Sequence, residues 1–545
     1  MFQIESYLRQ KIKAALEKLS YPINDISFDT PKQEAHGDLS VNLAMQLAST
    51  LKKNPRVIAQ NIVQNIVLDS QWISKVEIAG PGFINFFFAP SFLQHLVKDI
   101  LEEGANFGRQ TIGQGKKAQV EFVSANPTGP LTIGHGRQAV LGDTIANLLE
   151  WMGYDVTREY YFNNAGRQMR VLGESVRLRY LELLGEKIEF PEDYYQGEYI
   201  QDIAHHLFDE YGDTLRNSSN SDIFKDTAEK LIFEDIKNTL KRLGITFDVY
   251  FNEKDLYTNG DIDEVVQIFK KKGLAYEKDG AIWFRTTAFG QEQDRVIIKS
   301  SGEPTYRLPD IAYHRTKFDR GFDLIIDLFG ADHIATYPDV LAGVRALGYD
   351  DSKVKVLIHQ FVTLYEGEEK VKMSTRKANF ITLDELMDEV GVDVTRWFFL
   401  MRSMDSHLNF DLTLAKTQSD ENPVYYNQYA HARICSILRN AKEKGVSYQN
   451  PENLKRLVSP YEFQLIKKLM EFPKLVARCA SDYTPHLLTQ YLSEVSSSFH
   501  KFYTECWVLS DDKELTEARL GLCLATKIVL ANGFKILGIA APERM

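Results

Sequence analysis

The chain has 545 residues, of which 44% are apolar and 26% charged, and its formal net charge at pH 7 is −11. These values are typical of a globular protein and exclude disordered, collagen-like and disulfide-stabilised classes. The length predicts about three to five domains at roughly 100–200 residues each, and the negative charge argues against binding nucleic acid through a bulk positive field alone.

The first 110 residues mix helical and strand patterns. Apolar residues recur at helical spacing from Ile4 to Leu19 and again from Leu39 to Leu51. Residues 76–88 place apolar and aromatic side chains around a Gly-Pro-Gly turn, which is typical of two strands joined by a turn. We therefore predict a small α+β domain over residues 1–110.

Strands and helices alternate over residues 116–375. The alternation begins at 119–160 and is interrupted by an acidic insertion at about 175–300. Strand patterns return at 323–328 and 354–359. Strands that alternate with helices of this length indicate βαβ units with right-handed crossovers. The predicted fold class is α/β, with a Rossmann-type parallel sheet in the central domain.

The last part of the chain has few glycines and helical periodicity throughout. We predict a connecting segment at 376–410 and an all-α bundle at 411–545. The bundle segment holds 17 Lys and Arg against 15 Asp and Glu, a balance of +2, so the other 410 residues carry −13. The excess of negative charge therefore lies outside the helical bundle.

Two further patterns bear on location and metals. The four cysteines lie between residues 435 and 523 without zinc-ligand spacing, so we expect reduced, buried thiols and no protein-bound metal. No uninterrupted apolar run reaches the ~18–20 residues that cross a bilayer, and the N-terminus carries charges throughout. We expect a cytoplasmic protein that is not embedded in a membrane.

The first predicted strand of the α/β region leads into a loop rich in Pro and Gly. Residues 125–137 read ANPTGPLTIGHGR and open a helix. A strand-to-helix loop directs backbone N–H groups and the positive end of a helix dipole to one point, which suits a polyphosphate. The P-loop and dinucleotide fingerprints are both absent. On this segment alone, a tight turn with a half-buried His135 is the alternative.

A basic segment follows far downstream. Residues 370–377 read KVKMSTRK and follow a predicted strand. Such a loop can bring an ammonium group to a departing pyrophosphate. The alternative is a solvated run of charge, which is the commoner fate of four basic residues in eight.

Together the two segments resemble the HIGH and KMSKS motifs of class I aminoacyl-tRNA synthetases. The resemblance narrows to arginyl-tRNA synthetases over essentially the whole chain, because four stretches and the chain ending at 530–545 are similar to that family. The four stretches are VEF at 120–122 with its following loop, NNAGRQ at 163–168, KMSTRK at 372–377 with Asn379, and NPVYYNQYAHAR at 422–433. One departure is Thr132, which stands where the family usually has its first motif histidine.

The resemblance implies the activity and the partners. Arginine is activated by ATP to arginyl-adenylate with release of pyrophosphate, and is then transferred to the 3′-terminal ribose of tRNA(Arg). ATP carries Mg²⁺ as a substrate complex, and the family implies a monomer. Residues 1–110 correspond to an additional tRNA-binding domain, and 411–545 correspond to the anticodon-binding domain.

The resemblance also implies the site residues, carried over position by position. The catalytic candidates are His135, Lys372 and Ser374, with Lys377 as support. The other ATP contacts are Thr132, Gly134, Gly330, Asp332 and Met373. The predicted arginine-binding residues are Glu121, Asn126, Tyr306 and Asp310. The predicted tRNA-binding residues are Tyr425, Tyr429 and Arg433. We expect His135 and the lysine loop to carry most of the charge stabilisation.

Three alternatives remain open. Another class I synthetase, for glutamate or cysteine, would share both motifs but lack the N-terminal domain and the 422–433 stretch. A non-synthetase adenylyltransferase would be much shorter and would lack the helical domain. A catalytically dead RNA-binding paralogue is favoured only by Thr132, and the retained Lys372-Met373-Ser374 argues against it.

Overall fold

The computed structural model describes residues 2–23, 25–217, 222–331, 334, 336–371 and 381–545. The predicted fold class is confirmed: a parallel sheet flanked by helices forms the centre, and helices make up the C-terminal part.

An antiparallel sheet and four helices form the N-terminal region. Its elements are α1 (Phe2–Lys18), β1 (Leu39–Val41), α2 (Leu43–Leu51), α3 (Pro55–Asn65), β2 (Ile73–Ala79), β3 (Phe83–Phe88) and α4 (Pro90–Glu103). The strand order is β1-β3-β2. The helical pattern expected to begin at Leu39 instead begins at Leu43, because Leu39 pairs with Phe86 in the sheet.

The central region follows in chain order. Its elements are β4 (Lys117–Glu121), α5 (Ile133–Trp151), β5 (Asp155–Phe162), α6 (Gly166–Leu183), α7 (Glu198–Tyr211), α8 (Asp222–Arg242), β6 (Val249–Asn252), α9 (Glu253–Thr258), α10 (Asp261–Lys271), β7 (Ala275–Lys278), β8 (Ala281–Phe284), β9 (Arg295–Ile298), α11 (Arg307–Asp319), β10 (Leu324–Gly330), α12 (Tyr337–Leu347) and β11 (Val354–His359). The parallel sheet has the order β11-β10-β4-β5-β6.

The segment at about 175–300 is less uniform than the expected insertion. It begins with helices of the α6–α8 group, but β6 joins β5 at the edge of the central sheet. Only after β6 does the chain leave the sheet and build the small antiparallel sheet β7-β8-β9. Short strands such as β6 are hard to recognise in sequence, because four residues give little periodicity.

A small sheet and a helical bundle complete the chain. Their elements are β12 (Val362–Glu366), β13 (Glu369–Lys370), α13 (Leu383–Val390), α14 (Val392–Leu400), β14 (Leu408–Asp411), α15 (Leu412–Lys416), α16 (Pro423–Glu443), α17 (Pro460–Met470), α18 (Phe472–Asp482), α19 (His486–Glu505) and α20 (Lys513–Leu537). Helix α20 is long and apolar enough to span a membrane by length and composition, but most of it is buried inside the protein. The four cysteines are free and buried, as expected.

The two faces of the central sheet differ in chemistry. One face contributes Val120 and Tyr160 to a hydrophobic core that continues into the N-terminal region and the bundle. The other face presents a row of carboxylates in register, with Asp327 beside Glu121 and Glu121 beside Glu159. Helix α11 covers this polar face and belongs to a second hydrophobic core made with α10 and α12.

Candidate active site

The loop after β4 has an unusual backbone. Val123 and Ser124 have φ of +67° and +43°, a region that a β-branched residue rarely adopts. The turn directs the Ser124 hydroxyl back to donate to Glu121 Oε1 at 3.0 Å, while the Tyr161 N–H donates to the Ser124 hydroxyl at 3.1 Å. Strain of this kind is typical of functional sites, and here it shapes the loop that carries the first motif.

His135 lies in the first turn of α5. The backbone N–H of Thr132 donates to its Nδ1 at 3.2 Å, and the Thr132 hydroxyl lies 3.2 Å from the same atom. Burial lowers the pKa of His135 to about 4, so the ring is neutral at pH 7. Because Nδ1 accepts, the proton of the neutral ring sits on Nε2 and is available to a ligand. His135 can therefore act as a neutral hydrogen-bond donor at this position.

The two motif glycines differ in surroundings. Among the described residues, a Cβ at Gly134 would meet only the Thr132 hydroxyl, at 3.7 Å, so they leave room for a ligand to approach this backbone closely. A Cβ at Gly136 would instead meet Leu383 at 2.6 Å and Phe399 at 3.0 Å. Gly136 is therefore required by packing of α5 against α13 and α14.

The first motif contacts residues that follow the second motif in sequence. Thr132 forms a β-bridge with Thr382, and the Leu383 N–H donates to the Leu131 carbonyl at 2.8 Å. The chain therefore re-enters the described structure beside the first motif. The candidate residues Lys372, Met373, Ser374 and Asp332, with Lys377, lie outside the described residues.

Arg137 connects α5 to the segments next to β12 and β14, the strands of the small sheet that includes β13. Its fully buried guanidinium donates to the carbonyls of Gln360, Ser403 and Ser406 at 2.7–3.0 Å. Burial lowers its pKa to about 10, opposed by Asp405, so it stays charged at neutral pH. Gln360 precedes β12, so α5 is attached to the chain that leads into the second motif.

The polar face of the sheet is neutralised mainly by α11. Lys317 Nζ lies 2.6 Å from both Glu121 Oε2 and Asp327 Oδ1, and all three are buried. Burial opposes its charge, but Asp327 and Glu121 raise the pKa of Lys317 above its ordinary value. Arg320 pairs with Glu159 through two hydrogen bonds of 2.6 and 2.9 Å. Glu121, predicted to bind arginine, already has a cationic partner.

Asp310, on α11, differs from the carboxylates of the polar sheet face in having no cationic partner among the described residues. No residue within the described ranges donates a hydrogen bond to its carboxylate or forms an ion pair with it. Burial raises the pKa of Asp310 to about 7; His314 opposes this shift, and Glu121 and Glu253 add to it. Tyr161 donates to Glu253 Oε2 at 2.7 Å, and the negative charge of Asp310 raises the pKa of Tyr161. Asp310 and Glu253 are thus close enough for their charges to interact, which suits a cationic ligand.

The remaining substrate candidates precede α11, follow β4 or end β10. Tyr306 immediately precedes α11, four residues before Asp310, and is 87% exposed. Asn126 accepts from the Asn163 N–H at 2.9 Å and donates to Gln168 at 3.0 Å. Gly330 ends β10 at the same carboxyl edge as Glu121, where parallel sheets bind ligands.

The three predicted tRNA contacts lie on α16, far along the chain from the sheet. Tyr425 and Tyr429 are stacked with centroids 6.5 Å apart, and Tyr429 also stacks on His500. Arg433 donates to the Tyr503 hydroxyl at 2.9 Å and lies over its ring. This row of aromatic rings offers stacking surface to unpaired bases.

Sequence reasoning missed several groups at the site. Glu253 and Tyr161 carry no motif, and Glu253 lies within the expected insertion. Lys317 and Glu159 look like ordinary surface charges in the sequence. Only Arg137 had a detectable signal, since it directly follows the Gly134–Gly136 turn at the start of a buried helix.

Three domain families match consecutive parts of the chain. The arginyl tRNA synthetase N terminal domain matches residues 6–88. The catalytic domain of class I tRNA synthetases (R) matches residues 96–398. The DALR anticodon binding domain matches residues 427–545.

Relatives of known name match nearly the full length. An arginine–tRNA ligase of Desulfotalea psychrophila is 56% identical over 519 residues, covering 95% of this chain and 94% of that protein. One of Salinibacter ruber is 50% identical over 562 residues, covering 99% and 100%. The Thermus thermophilus arginyl-tRNA synthetase structure shares the fold, with a TM-score of 0.77 at 23% identity, over 99% of this chain and 100% of that one.

Proposed function

Because the chain belongs to the arginyl-tRNA synthetase family, we propose that the site described above binds arginine and ATP side by side and activates the amino acid. The protein catalyses ATP-dependent ligation of arginine to tRNA(Arg). The observation that supports it best is the carboxylate of Asp310, which has no donor among the described residues and lies beside Glu253.

The activation step needs no protein nucleophile. The carboxylate of arginine attacks the α-phosphorus of ATP and expels pyrophosphate, and the adenylate then transfers arginine to the terminal ribose of the tRNA. Such phosphoryl chemistry depends on positioning and on electrostatic stabilisation of the developing charge. Mg²⁺ enters as part of the ATP substrate complex.

The wall between α11 and the sheet suits the two positive charges of arginine. Asp310 and Glu253 hold the guanidinium group, with the exposed ring of Tyr306 one turn away, and Glu121 and Asn126 hold the amino-acid end. Among the described residues here, five carboxylates face two cationic side chains. The five are Glu121, Glu159, Glu253, Asp310 and Asp327, and the two cationic residues are Lys317 and Arg320.

The start of α5 binds the phosphates. His135 donates from Nε2, Gly134 leaves its backbone N–H accessible, and the helix dipole favours an anion at this end. Thr132 keeps the His135 ring oriented through Nδ1. Lys372 and Ser374, with Met373, add the second motif, and Gly330 and Asp332 approach the ribose.

The outer regions bind the tRNA. The N-terminal region, about 1–110, contacts the tRNA outside the catalytic site, and the bundle, about 411–545, binds the anticodon, consistent with the matched domain families. Tyr425, Tyr429 and Arg433 stack on or pair with unpaired bases. We propose a monomer acting in the cytoplasm.

Pyrophosphate exchange tests the assignment of substrate. With ATP, labelled pyrophosphate and each of the twenty amino acids, in the presence and absence of tRNA(Arg), we expect exchange with arginine alone and only when tRNA is present. Exchange with another amino acid would contradict the assignment, and exchange with none would favour the inactive RNA-binding alternative.

Arginine affinity should depend on pH through Asp310. Below its pKa of about 7 the carboxyl is protonated and neutral, so binding a guanidinium must displace a proton. The arginine Kd should therefore fall as pH rises, by up to about tenfold per pH unit below pH 7, and level off above it. Equilibrium dialysis from pH 5.5 to 8.5 measures this. Asp310→Asn should give a flat profile, and a pH-independent Kd in the natural protein would remove Asp310 from the pocket.

A further inference from the structure

The NNAGRQ segment at 163–168 lies directly beside the loop that carries Asn126. It follows β5, which pairs in parallel with β4, so the two segments leave the sheet at the same carboxyl edge. The Asn163 N–H donates to Asn126 Oδ1 at 2.9 Å, and Asn126 Nδ2 donates to Gln168 Oε1 at 3.0 Å. Both polar atoms of the Asn126 carboxamide are therefore held by this segment.

The segment is itself held by hydrogen bonds. Asn163 Oδ1 accepts from the Ala165 N–H at 2.8 Å, which turns the chain into α6. Asn164 Nδ2 donates to Glu229 Oε1 of α8 at 2.7 Å. Gln168 lies in the first turn of α6 with its side chain exposed. A turn fixed in this way presents the Gln168 acceptor to the neighbouring loop.

The two bonds to Asn126 leave one donor and one acceptor of its carboxamide for a ligand. The nitrogen carries two hydrogens and the oxygen two lone pairs, and each atom has one partner within the described ranges. The backbone N–H of Asn163 can only donate, so it fixes the oxygen on its own side and places the nitrogen beside Gln168. The second N–H of Asn126 Nδ2 therefore has one defined direction.

This N–H suits the α-carboxylate of arginine. Asn126 lies in the chain between Glu121, whose charge would repel a carboxylate, and His135 of the phosphate-binding turn. The carboxylate of arginine must reach the α-phosphorus of ATP, so it belongs on the part of the loop that leads to this turn. A neutral donor forms a stronger hydrogen bond with a charged oxygen than with a neutral one, which favours the α-carboxylate as the partner of Asn126.

We propose that Gln168 is a positioning residue which holds Asn126 so that its second N–H meets the α-carboxylate of arginine, and that this contact distinguishes arginine from guanidinium compounds that lack a carboxylate. This role rests on the proposed function of the site. Without Gln168 the carboxamide of Asn126 rotates more freely about its Cβ–Cγ bond, and part of the donor's contribution is lost. Compounds without the carboxylate do not use that donor, so their affinity should not change.

Arginine and agmatine, which is arginine without its carboxylate, separate this role from a general one. Pyrophosphate exchange in the presence of tRNA(Arg) gives the KM of arginine and the Ki of agmatine as a competitor. Gln168→Met removes the acceptor at similar size and should raise the arginine KM by roughly three- to tenfold, the range of one hydrogen bond. The agmatine Ki and the KM for ATP should stay within about twofold of their natural values. Gln201→Met, at an exposed position on α7, is the matched control and should change none of these constants.

A double substitution tests whether Gln168 acts through Asn126. Asn126→Ala removes the donor and should raise the arginine KM by roughly tenfold or more, since its partner is charged. Adding Gln168→Met to Asn126→Ala should change that KM by less than about twofold, because the two residues act on one contact. Gln168→Met should leave Tm nearly unchanged, because the side chain is exposed.

Any of three results would overturn the proposal. They are an unchanged arginine KM in Gln168→Met, an equal rise in the agmatine Ki, and an undiminished effect of Gln168→Met in the Asn126→Ala protein. Failure of agmatine to inhibit the natural protein would instead contradict the proposed guanidinium contacts of Asp310 and Glu253, and the double substitution would still decide the role of Gln168.

Discussion

Asp310→Asn is expected to lower kcat/KM for arginine in pyrophosphate exchange by roughly 10²–10³-fold, since truncating one partner of a buried charge pair costs ~2–5 kcal/mol. The effect is large because the described residues give Asp310 no cationic partner, so the substrate supplies it. Asparagine has the same shape, so the fold should persist. The KM for ATP should stay within about twofold, because ATP phosphates do not contact this residue in the proposed arrangement.

Asp319→Asn on the same helix is the matched control for this substitution. Asp319 is half-exposed and pairs with Arg315 and Tyr349 at the far end of α11, so its loss should leave arginine kinetics unchanged. Asp310→Ala should abolish activation altogether. Full activity in either Asp310 variant would exclude the carboxylate from arginine recognition and leave Glu253 as the guanidinium partner.

His135→Ala is expected to reduce kcat for pyrophosphate exchange by about 10²–10³-fold, the usual loss when one donor to a developing negative charge is removed. The ring donates from Nε2 to the phosphates in the proposed arrangement. Its pKa of about 4 keeps it neutral above pH 5, so this contribution should not titrate between pH 5 and 8. The arginine Kd should change by less than about twofold.

Two further variants sharpen the His135 experiment. His135→Asn retains an N–H donor and should recover part of the lost rate. His206→Ala, at an exposed histidine on α7, should leave the rate unchanged. A rate that rises as the pH falls from 7 to 5, only in proteins that retain His135, would show that the charged ring is the active form.

Local sequence patterns predicted the helices and strands whose apolar residues recur with a clear period. The strand, loop and helix around His135 and the all-helical bundle were predictable because each depends on residues close in sequence. The same reasoning missed β1 and β6, which are three- and four-residue strands fixed by pairing with distant strands. Tertiary pairing overrides short-range preference in such cases.

The kinds of residue at the site were predictable from the sequence, but their partners were not. Asp310 and Glu121 were both predicted to bind arginine, and the structure adds that Glu121 also pairs with Lys317, which is 196 residues away in sequence. His135 was predicted to contribute to charge stabilisation, and the structure adds that burial keeps its ring neutral. Pairings and pKa shifts of this kind depend on long-range proximity and desolvation, which a linear sequence does not display.

The polar face of the sheet beneath α11 also bears on how the protein unfolds locally. Asp310 belongs to the unit with the second hydrophobic core, whereas His135 and the sheet residue Val120 belong to the first. Regions with separate cores can unfold locally at different free energies. In the proposed arrangement, arginine would contact both regions, so its binding energy would stabilise their association against local unfolding.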